Sequence, residues 1–203
     1  MGLNNFNYVD GSGSTLLTDE EREGLKIKSI TTHRDLNEYE QANIADALTW
    51  LKSKRNLTKE NILTQNFIKD LHKQMFNKVW LWAGKVRLSN KNIGNISWPE
   101  ITTQLENLLR DVLYWIENKT FNHEEIAIRF KHRLVFIHPF SNGNGRHSRI
   151  MADILMERVF SLNEFSWGEN MFSSKEERSD FYIKSLHKAD NGDFSDLLKF
   201  AKS

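Results

Sequence analysis

The chain reads as an all-α protein, one helical domain carrying a single short β-hairpin, and three features of the sequence predict it. Apolar residues recur at intervals of three and four along most of the length, the spacing of one helix face. Residues suited to N-caps stand just ahead of several of these stripes, Thr58, Asn122 and Ser174 among them. Only the stretch VWLWAGKVRLSNKNIGNISW, from Val79 to Trp98, departs from that rhythm, with β-formers interrupted by Gly84, an Asn-rich centre and Gly94.

In chain order, residues 1–35 are expected to form an extended arm, because four of the ten glycines fall there and periodicity is weak. The remaining domain spans 36–203. Leu36, Tyr39, Ala42, Asn43, Ile44, Ala47, Trp50 and Leu51 predict a first long helix. Thr58 opens a second, carried by Ile62, Leu63, Phe67, Ile68, Leu71, Met75 and Phe76 and ending near Asn77. After the hairpin, Pro99 marks a new start, and Ile101 to Ile116 give a third helix. Asn122 caps a fourth, which Pro139 closes. Ile150 to Val159 predict a fifth, Ser174 with Glu177 a capping box opening a sixth towards His187, and a short helix follows from about Phe194. There is no internal repeat, low-complexity tract or linker between compact halves.

Composition narrows the function. Of 203 residues, 28 are Lys or Arg and 27 Asp or Glu, so the formal charge of +1 supplies no general field for nucleic acid or an anionic membrane. Hydrophobic residues at 39% provide a sizeable core. The lack of cysteine excludes disulfides and thiolate zinc sites. No signal-peptide pattern opens the chain and no run of about 18 apolar residues occurs, so the expectation is a cytoplasmic protein.

The chemistry concentrates in HPFSNGNGRHSR, from His138 to Arg149. Gly143 and Gly145 let successive N–H groups turn towards one ligand, and the helix that follows adds its positive N-terminal end. Arg146 and Arg149, three apart on that helix, can reach different phosphates of a polyphosphate. His138 stands just before this cradle, where a general base can take a proton from an incoming hydroxyl. The plainer alternative is a tight helix connection with surface arginines. Base plus phosphate cradle points to phosphoryl or nucleotidyl transfer.

These residues resemble the signature of Fic/Doc proteins, HPFx(D/E)GNGRxxR, in every specified position but one. The resemblance extends to LNEYEQANI, WLWAGKVR, the dipeptide of Trp167 and Gly168, and the ending SLHKADNGDFSDLLKF, and is strongest to the bacterial subgroup called mobile mystery protein B. It implies the Fic fold and a protein adenylyltransferase that moves AMP from ATP onto a Ser, Thr or Tyr hydroxyl. By resemblance, His138 is the base, Gly143, Asn144 and Gly145 hold the α and β phosphates, Arg146 and Arg149 bind the outer ones, and Phe140 packs inward to fix the loop. The hairpin corresponds to a flap that aligns the target protein by strand pairing. Such proteins act as toxins or regulators, with an antitoxin or other regulatory partner, and some assemble into oligomers.

The departure is Asn142, where the signature has an acid that holds Mg²⁺ or Mn²⁺. A neutral amide is a weaker ligand. That leaves open a non-catalytic nucleotide- or partner-binding module, or a Fic enzyme moving another phosphate-containing group. Many relatives also carry an inhibitory glutamate facing the second arginine, here Arg149. Asp35, Glu38 and Glu40 are the N-terminal acids in reach, and the string match from Thr102 to Asn107 is set aside for its position. The spacing of His132, His138 and His147 does not suit a zinc site. Trp80, Trp82, Met75 and Phe76 are assigned to packing.

Overall fold

The computed structural model describes residues 16–90 and 96–203. Among these residues the helices are α1 (Asp19–Gly24), α2 (His33–Ser53), α3 (Lys59–Ile62), α4 (Gln65–Phe76), α5 (Ile101–Glu117), α6 (His123–Ile137), α7 (Asn144–Ile154), α8 (Lys175–Asp190) and α9 (Ser195–Lys202). The all-α expectation holds.

The centre of the molecule is the pair α6 and α7. The Asn122 side chain accepts from the Glu125 N–H at 2.8 Å and starts α6, whose Ile126, Phe130, Leu134 and Ile137 are all buried. Helix α6 packs against α5, α7 and α9, while α2 and α4 form a second layer that reaches α7. Helix α7 is buried from His147 through Ile154 on every face, as expected of a helix enclosed by others. It continues into a wider π-helical stretch at Leu155–Val159, so the fifth expected helix begins earlier than its apolar residues suggest.

Residues 16–35 do not form an extended arm. Thr18 and Glu21 make a reciprocal capping box on α1, and Leu17, Leu25 and Ile30 are buried in the core. Leu25 bridges to Trp80, with the Lys26 N–H donating to the Val79 carbonyl at 2.8 Å and the Leu81 N–H to the Gly24 carbonyl at 2.9 Å. The β-forming residues at 79–81 therefore pair with this N-terminal segment. No strand ladder forms among the described residues of 79–98, and the centre of the expected hairpin, 91–95, lies outside the described residues, as do 1–15.

The helix expected from Thr58 to Asn77 is broken into α3 and α4 by Thr64. Its hydroxyl donates to the Asn61 carbonyl at 3.0 Å and accepts from the Phe67 N–H at 3.1 Å, ending one helix and capping the next. On α2 the buried stripe runs through Leu36, Glu40, Asn43, Ala47 and Leu51, whereas Tyr39 is exposed. No helix among the described residues is long and apolar enough to cross a membrane.

Candidate active site

The site is built on the turn between α6 and α7, and its shape comes from where its carbonyls are anchored. His138 ends α6 in the left-handed region at φ 51°, a conformation encouraged by Pro139, which disfavours helical geometry in the residue before it. The His138 carbonyl accepts from Arg87 Nε at 2.7 Å, and the Pro139 carbonyl from the Arg87 N–H at 2.9 Å. Asn144 closes the turn on Phe140, accepting from its N–H at 3.0 Å and donating to its carbonyl at 2.8 Å.

His72 anchors the next carbonyl. Its Nδ1 accepts from the Gly84 N–H at 3.0 Å, which leaves Nε2–H to donate to the Asn142 carbonyl at 3.0 Å. The ring is fully buried, stacked on Phe140 with centroids 3.7 Å apart, and burial holds its pKa well below that of a free histidine. The Gly143 carbonyl receives the His147 N–H at 2.9 Å. Because C=O and the following N–H of a trans peptide point in opposite directions, these anchors turn the N–H groups of Gly143 and Asn144 the other way. The Gly143 N–H is taken by the Asn142 amide oxygen, while the first-turn N–H groups of α7 have no intrahelical acceptor, a geometry able to receive an anion. Gly143 is required within it: φ is 77°, and a Cβ would lie 2.5 Å from Phe76 Cζ.

This turn opens into a cavity of about 740 Å³ bounded by His138, the turn 141–146, Arg149, and walls from α2 and α8. Arg146 meets Glu40 of α2 at 2.7 Å, and the other carboxylate oxygen of Glu40 accepts from Trp80 Nε1 at 2.6 Å. Glu40 is 2% exposed. Arg149 is buried among the rings of Trp167, Tyr182 and Phe200, with its guanidinium 4.6 Å from the Tyr182 centroid. Beneath it lie two further polar groups. Lys131 is wholly buried, hydrogen-bonded to the Tyr182 hydroxyl, and burial together with Arg149 lowers its pKa well below the usual amine range. Asp153 accepts from Trp167 Nε1 at 3.0 Å and from the Phe165 N–H at 3.2 Å, and burial pushes its carboxyl up to about 8.

The structure thus brings His138, Asn142, Gly143, Asn144, Gly145, Arg146 and Arg149 to one cavity. The Asn144 side chain is used up inside the turn, which leaves its backbone for a ligand. Of the three N-terminal acids, Glu40 alone reaches an arginine of the turn, and it reaches Arg146; Asp35 bonds Thr32 at 2.8 Å and Glu38 is exposed. Glu106, in the set-aside string, bonds Gln65. His132 pairs with Asp190 at 2.9 Å, and His147 bonds the Ile68 carbonyl at 3.0 Å. Sequence reasoning passed over His72, Arg87, Lys131, Asp153 and Tyr182.

The chain's own donors do not fit a carboxylate-held divalent cation. The Asn142 amide oxygen accepts from the Gly143 N–H at 2.6 Å, Glu40 is shared between Arg146 and Trp80, and Glu21, at the cavity edge, accepts from Thr18. A hard cation needs about six oxygens, commonly with one or two carboxylates among them. Among the described residues the lining offers neutral oxygens, such as those of Ser141 and Asn142, and no uncommitted carboxylate.

The architecture is an all-helical domain with a histidine-led turn between two central helices, and known proteins share it. Residues 62–156 match the Fic/DOC family. Over 200 residues it is 24% identical to protein adenylyltransferase fic-1 of Caenorhabditis elegans, a match covering 96% of this chain but 38% of that relative. Its fold is similar to the N-terminal FIC domain of Bep8 from Bartonella sp. 1-1C, with TM-score 0.68, 15% identity and 87% of each chain covered. It is also similar to BepC from Bartonella tribocorum, solved with bound AMPPNP, with TM-score 0.62, 18% identity, and 94% of this chain and 92% of that one covered.

Proposed function

We propose that this protein transfers AMP from ATP to a hydroxyl of a Ser, Thr or Tyr in a target protein. The observation that carries the reading is the convergence of His138, the backbone cradle and two arginines on one cavity. The target hydroxyl attacks the α-phosphorus of ATP, forming a new O–P bond as the bond to the β-phosphate oxygen breaks. His138 takes the hydroxyl proton, and pyrophosphate leaves. The α7 N-terminus and Arg149 stabilise the charge that develops on the phosphates, with Arg146 available once a phosphate displaces Glu40. The adenylyltransferase relatives and the AMPPNP held by BepC support ATP as the nucleotide. In the cell this makes the protein a regulator or toxin acting on a cytoplasmic target, with a partner to restrain it.

A second reading, a non-catalytic nucleotide-binding module, draws on Asn142, whose amide is turned onto Gly143. Incubation with lysate and ATP labelled at the α or the γ position separates the two. Label from α alone, lost in His138→Ala, is the expected result. Label from γ alone would make the protein a phosphotransferase. No label from either, with ATP binding intact, would leave the module.

A further inference from the structure

We propose that Arg87 is a positioning residue for His138, setting the imidazole for proton abstraction through its hold on the His138 carbonyl; this rests on the adenylyl-transfer reading. Arg87 is 3% exposed and every arm of its guanidinium is committed. Nε donates to the His138 carbonyl at 2.7 Å, one terminal nitrogen to the Ser89 carbonyl at 2.7 Å, and the other to the Ile96 carbonyl at 2.6 Å. Its own backbone N–H adds the bond to the Pro139 carbonyl at 2.9 Å.

His138 is where such support matters. An L-residue at φ 51° sits in a region costing about 1–2 kcal/mol relative to right-handed geometry, and one peptide rotation there swings the side chain across the cavity. The bonds from Arg87 fix the peptide planes on the C-terminal side of His138 and of Pro139, while the His138 N–H is held to the Leu134 carbonyl at 3.2 Å. The same guanidinium ties this turn to the Ser89 and Ile96 carbonyls. A flat five-donor fork is suited to bridging three carbonyls in different directions, and an ammonium is not.

Arg87 lines neither the cavity nor the phosphate cradle, so nucleotide affinity and turnover should separate. The test uses the full chain with Arg87→Lys and Arg87→Gln, checked for folding by circular dichroism. ATP binding is read by calorimetry, and kcat and KM for ATP by label transfer. Expected are an ATP Kd within about threefold of wild type and a kcat about 100-fold lower in Arg87→Gln, the scale of a misplaced catalytic group. Arg87→Lys should recover part of that loss, because it still donates to the His138 carbonyl. A fall in ATP affinity matching the fall in kcat, equal loss in both variants, or failure of both to fold would overturn the proposal by making Arg87 a structural residue. If wild-type protein transfers no label, the adenylyl-transfer reading falls instead. The nuclear magnetic resonance signals of the His138 ring, compared between wild type and Arg87→Lys, then decide the positioning claim: unchanged signals refute it.

Discussion

Glu40 and Arg146 face each other at 2.7 Å across the cavity wall, and Trp80 holds the same carboxylate from behind. A phosphate reaching for Arg146 must therefore compete with a buried anion already in place. Glu40→Gln keeps an oxygen for Trp80 and removes the charge, so ATP should bind about tenfold tighter, the ordinary scale for one charge-assisted contact. Calorimetric titration checks this. Unchanged or weaker binding would show that Glu40 aligns Arg146 for the phosphate and does not oppose it.

Gly143 and Gly145 should respond in opposite ways to alanine. At Gly143 the methyl group meets the Phe76 ring at 2.5 Å with φ at 77°, and a loss of about 1–3 kcal/mol is expected. At Gly145, inside α7, nothing lies within 4 Å, so alanine should raise stability by about 0.5–1 kcal/mol. That methyl group would nevertheless stand at the cavity surface and weaken ATP binding. Urea unfolding and ATP titration of both variants test the contrast.

Asp153 gives a pH signature. In the fold its carboxyl titrates near 8, against 3.8 for the free side chain, so between those values the native state holds a proton that the unfolded chain has released. Stability from this group is complete below the lower value and is lost as pH rises through the upper one, at up to about 1.4 kcal/mol per pH unit. Asp153→Asn has no proton to lose. The variant should gain up to about 3–4 kcal/mol on wild type between pH 5 and pH 8 in urea unfolding, and parallel curves would contradict the assignment.

His72 links the segment at Gly84 to the turn at Asn142. His72→Phe preserves a ring against Phe140 but strands a buried N–H and a buried carbonyl, a cost of about 2–4 kcal/mol. A change below about 0.5 kcal/mol in urea unfolding would show that those groups find other partners.

Asn142→Asp supplies the carboxylate that the cavity lacks. ATP binding should become dependent on Mg²⁺, with affinity falling when EDTA is added, whereas the wild-type protein should show a weaker dependence. Equal EDTA sensitivity in both would mean that residue 142 contributes nothing to a cation.

Much of this was legible in advance, and the exceptions have physical causes. The cap at Asn122, the stripe of α6 and the turn beginning at His138 depend on local spacing, which the chain displays directly. Glu40 was readable in part: it falls four residues after Leu36 and three before Asn43, in the middle of a buried stripe, yet a carboxylate in a helix reads by default as solvated. His72, Arg87 and Asp153 act through partners 12 to 70 positions away, and no spacing rule announces those. The strand partner of Val79–Leu81 was missed for the same reason, since it comes from the glycine-bearing N-terminal segment.

His138 carries two duties in one residue: it receives the proton in the proposed reaction, and it is the punctuation mark that stops α6. Every substitution there edits both. Alanine deletes the imidazole and also suits the left-handed stop poorly, whereas asparagine tolerates that backbone and deletes only the imidazole. The gap between His138→Ala and His138→Asn in thermal stability is thus a direct reading of what the stop itself is worth, and their shared loss of transfer a reading of the chemistry alone.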